Sequence, residues 1–160
     1  MAPEQVFIVS AVQAWKQNVE RADKIFSGLS DEQLQTEVAP GKNRLVYLWG
    51  HLTAVHDAML PLLGVGDKVH PELAAAFLTA PDKAVAALPP TAELRRAWNE
   101  VNDRLLTAFR NFTVFDWAGK HTAVSDEAFA ADPLRNRLSV VISRTSHVAY
   151  HVGQVALAPK

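Results

Sequence analysis

Residues 134–157 read LRNRLSVVISRTSHVAYHVGQVAL. Leu134, Leu138, Val141, Thr145, Val148 and Val152 recur every three or four positions, the spacing of one helical face. Asp132 and Pro133 stand just before, resembling a cap followed by a first-turn proline. The segment therefore predicts a long amphipathic helix ending near Leu157. It also carries His147 and His151, four residues apart. On a helix that separation places two side chains one turn apart on the same face.

The rest of the chain repeats the helical pattern three times. In residues 4–27, Ile8, Val12, Trp15, Val19, Ala22 and Phe26 form an apolar stripe, with Gly28 at the C-cap position. Ser30 and Gln33 suit a capping box around a short helical turn, and Pro40–Gly41 marks a loop. Residues 43–63 predict the second long helix, with Asn43 as N-cap, a stripe of Leu45, Leu48, Leu52, Val55 and Met59, and Gly64 and Gly66 at its end. Pro71, Pro81, Pro89 and Pro90 cut the next stretch into short helical pieces, 71–79 and 82–87. Thr91 is placed to cap a third long helix, 92–112, lined by Leu94, Trp98, Val101, Leu105 and Phe109. Residues 113–132 read as a long connection, a feature that often belongs to a functional rim. No period-two alternation or hairpin signal competes with this reading. The expected fold is all-α: a four-helix bundle with short extra helices between the second and third long helices, in one domain spanning 1–160.

Composition bounds the function. A chain of 160 residues with 49% hydrophobic and 21% charged residues is ordinary for a globular protein. There is no cysteine, so thiolate metal sites, disulfides and a cysteine nucleophile are excluded. The net charge of −1, with both signs mixed along the chain, supplies no electrostatic reason to bind nucleic acid or an anionic membrane. No basic leader precedes Phe7–Val9, and no run approaches the roughly 20 apolar residues of a membrane span. A cytoplasmic protein is expected. Phosphate-binding glycine loops and nucleophile elbows are absent from the sequence.

The six histidines are the informative residues. His147 and His151 have the spacing of a helical metal-ligand pair, though histidines so placed also serve as caps and surface residues. His51 stands beside Leu48, Leu52 and Val55 on the second helix, and should face the bundle interior. Metal sites in bundles are built from side chains on facing helices. From spacing alone, a three-histidine metal site and a buried polar cluster without metal are equally compatible with these positions. His56 lies about 140° around the helix from His51 and cannot share its centre; a boundary position near the bundle end is expected. His70 and His121 fall in loops.

Two segments carry a family resemblance. Residues 29–51, LSDEQLQTEVAPGKNRLVYLWGH, and residues 145–155, TSHVAYHVGQV, resemble the first loop with its second-helix histidine, and the C-terminal H-x-x-x-H-x-G-Q motif, of the DinB superfamily (DinB/YfiT-like). The middle, 64–132, matches in layout more than in motif. The resemblance implies a bundle of the DinB type, often dimeric, and places the family's three metal-binding histidines on His51, His147 and His151. It implies a divalent transition metal, with zinc or nickel the first expectations. Members have been assigned as thiol-dependent transferases and as hydrolases, so a small-molecule substrate, a low-molecular-weight thiol among them, is the implied partner, along with a second copy of the chain.

Around that triad, Arg144 lies one turn before His147 and is a candidate for holding a substrate carboxylate or phosphate, with a solvated or structural role as the alternative. Gln154 lies one turn after His151 and is a candidate to orient that ligand. Tyr150, about 100° from His151, is expected to pack, as are Trp49 and Trp98. Glu100 and Asp103 are possible bases with no feature to single them out. The leading reading is a metal-dependent transferase or hydrolase. The competing readings are a non-catalytic metal- or ligand-binding protein and a dimeric helical interaction module whose histidines are vestigial.

Overall fold

In α1 (Pro3–Ser27), Trp15, Val19, Ala22 and Phe26 lie on one buried stripe, as the periodicity predicts. The computed structural model describes residues 1–159. After α1 come α2 (Asp31–Leu34), α3 (Leu45–Asp57), α4 (Met59–Leu63), a π-helical turn (Ala75–Thr79), α5 (Thr91–Asn111), α6 (Val114–Ala118), α7 (Asp126–Ala131) and α8 (Arg137–Leu157). The described residues contain no strand, only two isolated bridges. The fold is all-helical and of the bundle type. α1 runs along α8, and α3 packs against α5 and the π-helical turn. No described helix is long and apolar enough to cross a membrane.

All four tryptophans are buried, and they belong to one connected apolar core. α3 is central to it. Its buried residues run almost all the way around the helix, from Leu45 to Asp57, so it has no solvent face of the ordinary amphipathic kind. The second long helix is not continuous as expected. Pro61 has no N–H for the carbonyl of Asp57, and the helix breaks at Ala58 before resuming as α4. Gly64, at φ +71°, closes α4 in the left-handed conformation.

Several caps differ from expectation. Arg44, not Asn43, is the N-cap of α3, and its side chain reaches across to Asp82 instead of capping. Pro90 is the N-cap of α5, and the Thr91 hydroxyl donates to Asp31 at 2.6 Å. Residues 82–87 form no helix, because Lys83 takes φ +71°, which a right-handed helix cannot contain. The connection 113–132 holds α6 and α7, with Thr113 and Asp116 forming a capping box. α8 begins at Arg137 rather than near Asp132; the Asn136 side chain caps it by accepting from Ser139 N. Asp132 instead makes a local turn with Leu134 N, and Leu134 is left 74% exposed, outside the helical stripe.

Candidate metal centre

α3 and α8 bring His51, His147 and His151 together. The Nε2 atom of His147 lies 3.2 Å from Nε2 of His51 and 3.0 Å from Nε2 of His151. One ring nitrogen from each falls within 4.8 Å of the other two. The rings meet edge-on, with interplanar angles of 74–83°. All three residues are half-buried, so the cluster reaches the molecular surface.

The outer nitrogens define the protonation pattern of two of the three rings. His51 Nδ1 donates to the carbonyl of Phe77 at 2.8 Å, and His151 Nδ1 donates to Gln154 Oε1 at 2.7 Å. With their protons on Nδ1, both rings turn a bare Nε2 lone pair toward His147. A single proton on His147 Nε2 satisfies one of those lone pairs and leaves the other facing a nitrogen. One cation at the centre satisfies all three. Tetrahedral zinc with bonds of about 2.0–2.1 Å to imidazole separates its ligand atoms by roughly 3.3 Å, close to the spacing found here. Burial, and then the neighbouring His151, His51 and Arg144, push the pKa of His147 down to about 4. Burial also lowers that of His151, against the hydrogen bond it donates to Gln154. Both rings are therefore neutral near pH 7, the form a metal requires. The donor set fits a divalent ion.

Local sequence explains how His51 is aimed. Tyr47, Gly50 and His51 share one face of α3 at i, i+3 and i+4. Gly50 lets the buried ring of Phe77 lie directly on the helix; a Cβ there would come 2.2–2.5 Å from that ring. The Tyr47 hydroxyl donates to Ala80 O at 2.8 Å, so the π-helical turn is tied to α3 at Phe77 and again at its C-cap. Pro81 stands four residues after Phe77 and has no N–H, so no α-helical i+4 donor competes with His51 for the Phe77 carbonyl. π-helical turns of this kind are frequent at functional sites.

Of the other residues singled out in the sequence, Gln154 accepts from His151 Nδ1, and its amide nitrogen donates to Tyr150 Oη at 3.3 Å. Tyr150 does not pack in the core: it is 63% exposed, with its ring edge-on to His151 at 5.1 Å. Arg144 does not join the nitrogen cluster. It lines a surface depression with His121, Arg135 and Ser139, and its Nε is buried without a partner. Glu100 is engaged by Arg104 and His70, and with Asp103 it lines a separate groove near Leu60. His56 is not at the bundle boundary; it is fully buried, because α3 has no solvent face. Sequence reasoning missed Phe77, which acts through its backbone carbonyl and carries no side-chain signal for that role.

Trp49 and Trp98 are core residues as expected. Among curated proteins, none matches the chain. A family model described as the DinB superfamily matches residues 14–155, a span that contains α3, all three histidines and all but the last two residues of α8. Over that span, with the histidine of the second long helix meeting the histidine pair of the last, the chain belongs to the DinB superfamily.

Proposed function

We propose that His51, His147 and His151 hold one divalent transition metal, zinc or nickel, and that the protein is a metal-dependent transferase using a small-molecule thiol, or a hydrolase. The observation that carries this reading is the convergence of three Nε2 atoms, two of them on rings whose Nδ1 protons are already committed. Three protein ligands leave at least one position of a four-coordinate ion open, the pattern of reactive rather than structural sites. When bound, such an ion is a Lewis acid that acidifies a water or a thiol beside it. The chain's own part is to orient and shield. Phe77 O and Gln154 hold two of the rings, while Tyr47 and Phe77 close one flank of His51. The exposed ring of Tyr150 stands beside His151, where a small molecule arriving from solvent meets it. The chain has no cysteine, so a thiol reactant comes from solution.

One observation favours the second reading, a non-catalytic metal- or ligand-binding protein. Among the described residues no aspartate or glutamate joins the histidine group, so no carboxylate base stands within it.

Elemental analysis of the purified protein beside His147→Ala and His151→Ala variants is the first test. About one ion per chain is expected in the wild type and little in either variant. Equal, negligible metal in all three forms overturns the metal reading. Turnover of a chloro-aromatic acceptor with small thiols, or of activated esters, then separates enzyme from binding protein. Metal bound without turnover of either substrate class favours the binding protein.

A further inference from the structure

At the N-terminal end of α8 lies a surface depression of about 310 Å³. Arg135 lines it from the segment before the helix, Ser139, Ser143 and Arg144 from the first two turns, and His121 from the connection between α6 and α7. None of the three clustered histidines borders it. Two of the lining residues are permanent cations, and no aspartate or glutamate is among them.

The donors of this wall lack acceptors. Arg44, Arg104 and Arg137 are engaged by carboxylates or by backbone carbonyls. Among the described residues, the side chains of Arg135 and Arg144 make no such contact, although both border the same depression. Arg144 Nε is enclosed without a partner, which fixes the stem, while its terminal nitrogens are not enclosed. His121 Nδ1 is likewise enclosed and unpartnered. On the same helix, Thr145 and Ser146 turn their hydroxyls back onto the carbonyls of Val141 and Ile142, the usual local partner of a helical hydroxyl. The hydroxyls of Ser139 and Ser143 make no such bond, so both are left for another acceptor.

Convergent guanidinium and hydroxyl donors without a counter-charge call for an oxyanion. A phosphate monoester carries roughly −1.5 to −2 charges near pH 7 and three acceptor oxygens, which matches two arginines. A single carboxylate carries half that charge. The positive end of the α8 dipole acts in the same direction. The volume falls at the low end of small-molecule sites, enough for a phosphate and a short organic tail. We propose that this depression binds the phosphate group of a small phosphomonoester, with Arg135 and Arg144 pairing its charge and Ser139, Ser143 and His121 completing its hydrogen bonds. The site does not depend on the metal reading above.

Titration of the metal-free protein with inorganic phosphate, at constant ionic strength and followed by heteronuclear NMR, tests it. Saturable shifts are expected at the Arg144 Nε–H and at the His121 ring. Arg135→Gln and Arg144→Gln should each weaken binding by about 10-fold or more, the value of a charged hydrogen bond. Arg144→Lys, which keeps the charge and loses the planar fork, should fall between the glutamine variant and the wild type. His151→Ala should bind phosphate as the wild type does, which separates this site from the histidine cluster. Phenyl phosphate should bind at least as tightly as inorganic phosphate, and succinate more weakly. A linear, unsaturable response overturns the proposal, as do glutamine variants within about two-fold of the wild type. Succinate binding more tightly than phosphate overturns the phosphate assignment. Arg135 is exposed, so its variant decides even if Arg144→Gln does not fold.

Discussion

At the scale of single residues, the site depends on side chains that touch no metal. Gly50 is required because Phe77 occupies the space of its absent Cβ. Gly50→Ala should destabilise the protein by about 1–3 kcal/mol through overpacking. It should also weaken zinc binding, because the displaced turn carries the Phe77 carbonyl that holds His51. Urea denaturation beside a competition titration checks both, and an unchanged unfolding midpoint would mean that Phe77 swings aside freely. Gln154→Leu removes the acceptor of His151 Nδ1 and should lower zinc affinity about 10-fold to 100-fold while leaving the fold intact. A variant that binds as tightly as the wild type would show that His151 needs no outer anchor. His56 gives a pH dependence with a definite sign. Its pKa lies at about 4 in the folded protein, depressed from 6.5 by burial. The unfolded chain therefore binds a proton that the folded one does not, between those values. Stability is fully present above pH 6.5 and is lost as pH falls toward 4, by roughly 3 kcal/mol from this group. Unfolding midpoints of the metal-free protein between about pH 7 and about pH 4 should fall steadily; a flat profile would contradict a buried neutral His56.

At the scale of elements, α3 is the organising helix. It is buried on nearly every side, and each side does different work: Trp49 stacks on Phe26, His56 lies between tryptophans, and His51 turns to α8. Its N-terminus has no side-chain cap. Instead, Asp82 accepts from Arg44 N at 2.7 Å and from the Arg44 guanidinium at 2.7 Å, so the loop after the π-helical turn does the capping. Burial alone would raise the Asp82 pKa, but the hydrogen bonds and charge of Arg44 lower it overall. The Asp82 side chain is only 4% exposed, so Asp82→Ala leaves the Arg44 N–H, Nε and Nη2 without their acceptor, with Gln35 still accepting from Nη1, and should cost about 3 kcal/mol. Hydrogen exchange should rise in the first turn of α3. Unaltered protection there would assign the cap to another group.

At the scale of the whole molecule, the three histidines come from helices distant in sequence, so an ion held by all of them would tie α3 to α8. Anything that binds only the folded state stabilises it, by about 2.7 kcal/mol at a hundred times its dissociation constant. Zinc or nickel should therefore raise the thermal midpoint of the wild type and leave His147→Ala unmoved. An equal rise in both would place the binding elsewhere. The bundle itself was legible in the sequence because α1, α5 and α8 are amphipathic and announce their period: Trp98, Val101, Leu105 and Phe109 on α5 are buried as their spacing requires. Cap residues were less legible. Asn43, Thr91 and Asp132 all have the right chemistry for a cap, but the chain's path decides which polar group arrives at a helix end.

By itself, the sequence determined that two histidines share a face of the last helix, that Gln154 stands a turn beyond them, and that His51 sits beside the apolar stripe of the second helix. These follow from local helical geometry, which depends only on residue spacing. The same local reading, in contrast, placed His56 at a boundary and Tyr150 in the packing, because it assumed one buried face per helix. Only the tertiary structure decided that α3 is enclosed by other helices on almost all sides, and so that His56 is buried in the core. It alone showed that His51 meets His147 and His151, and that the carbonyl of Phe77, 26 residues further along the chain, holds His51. A backbone carbonyl carries no residue identity, and no spacing rule reaches across a fold.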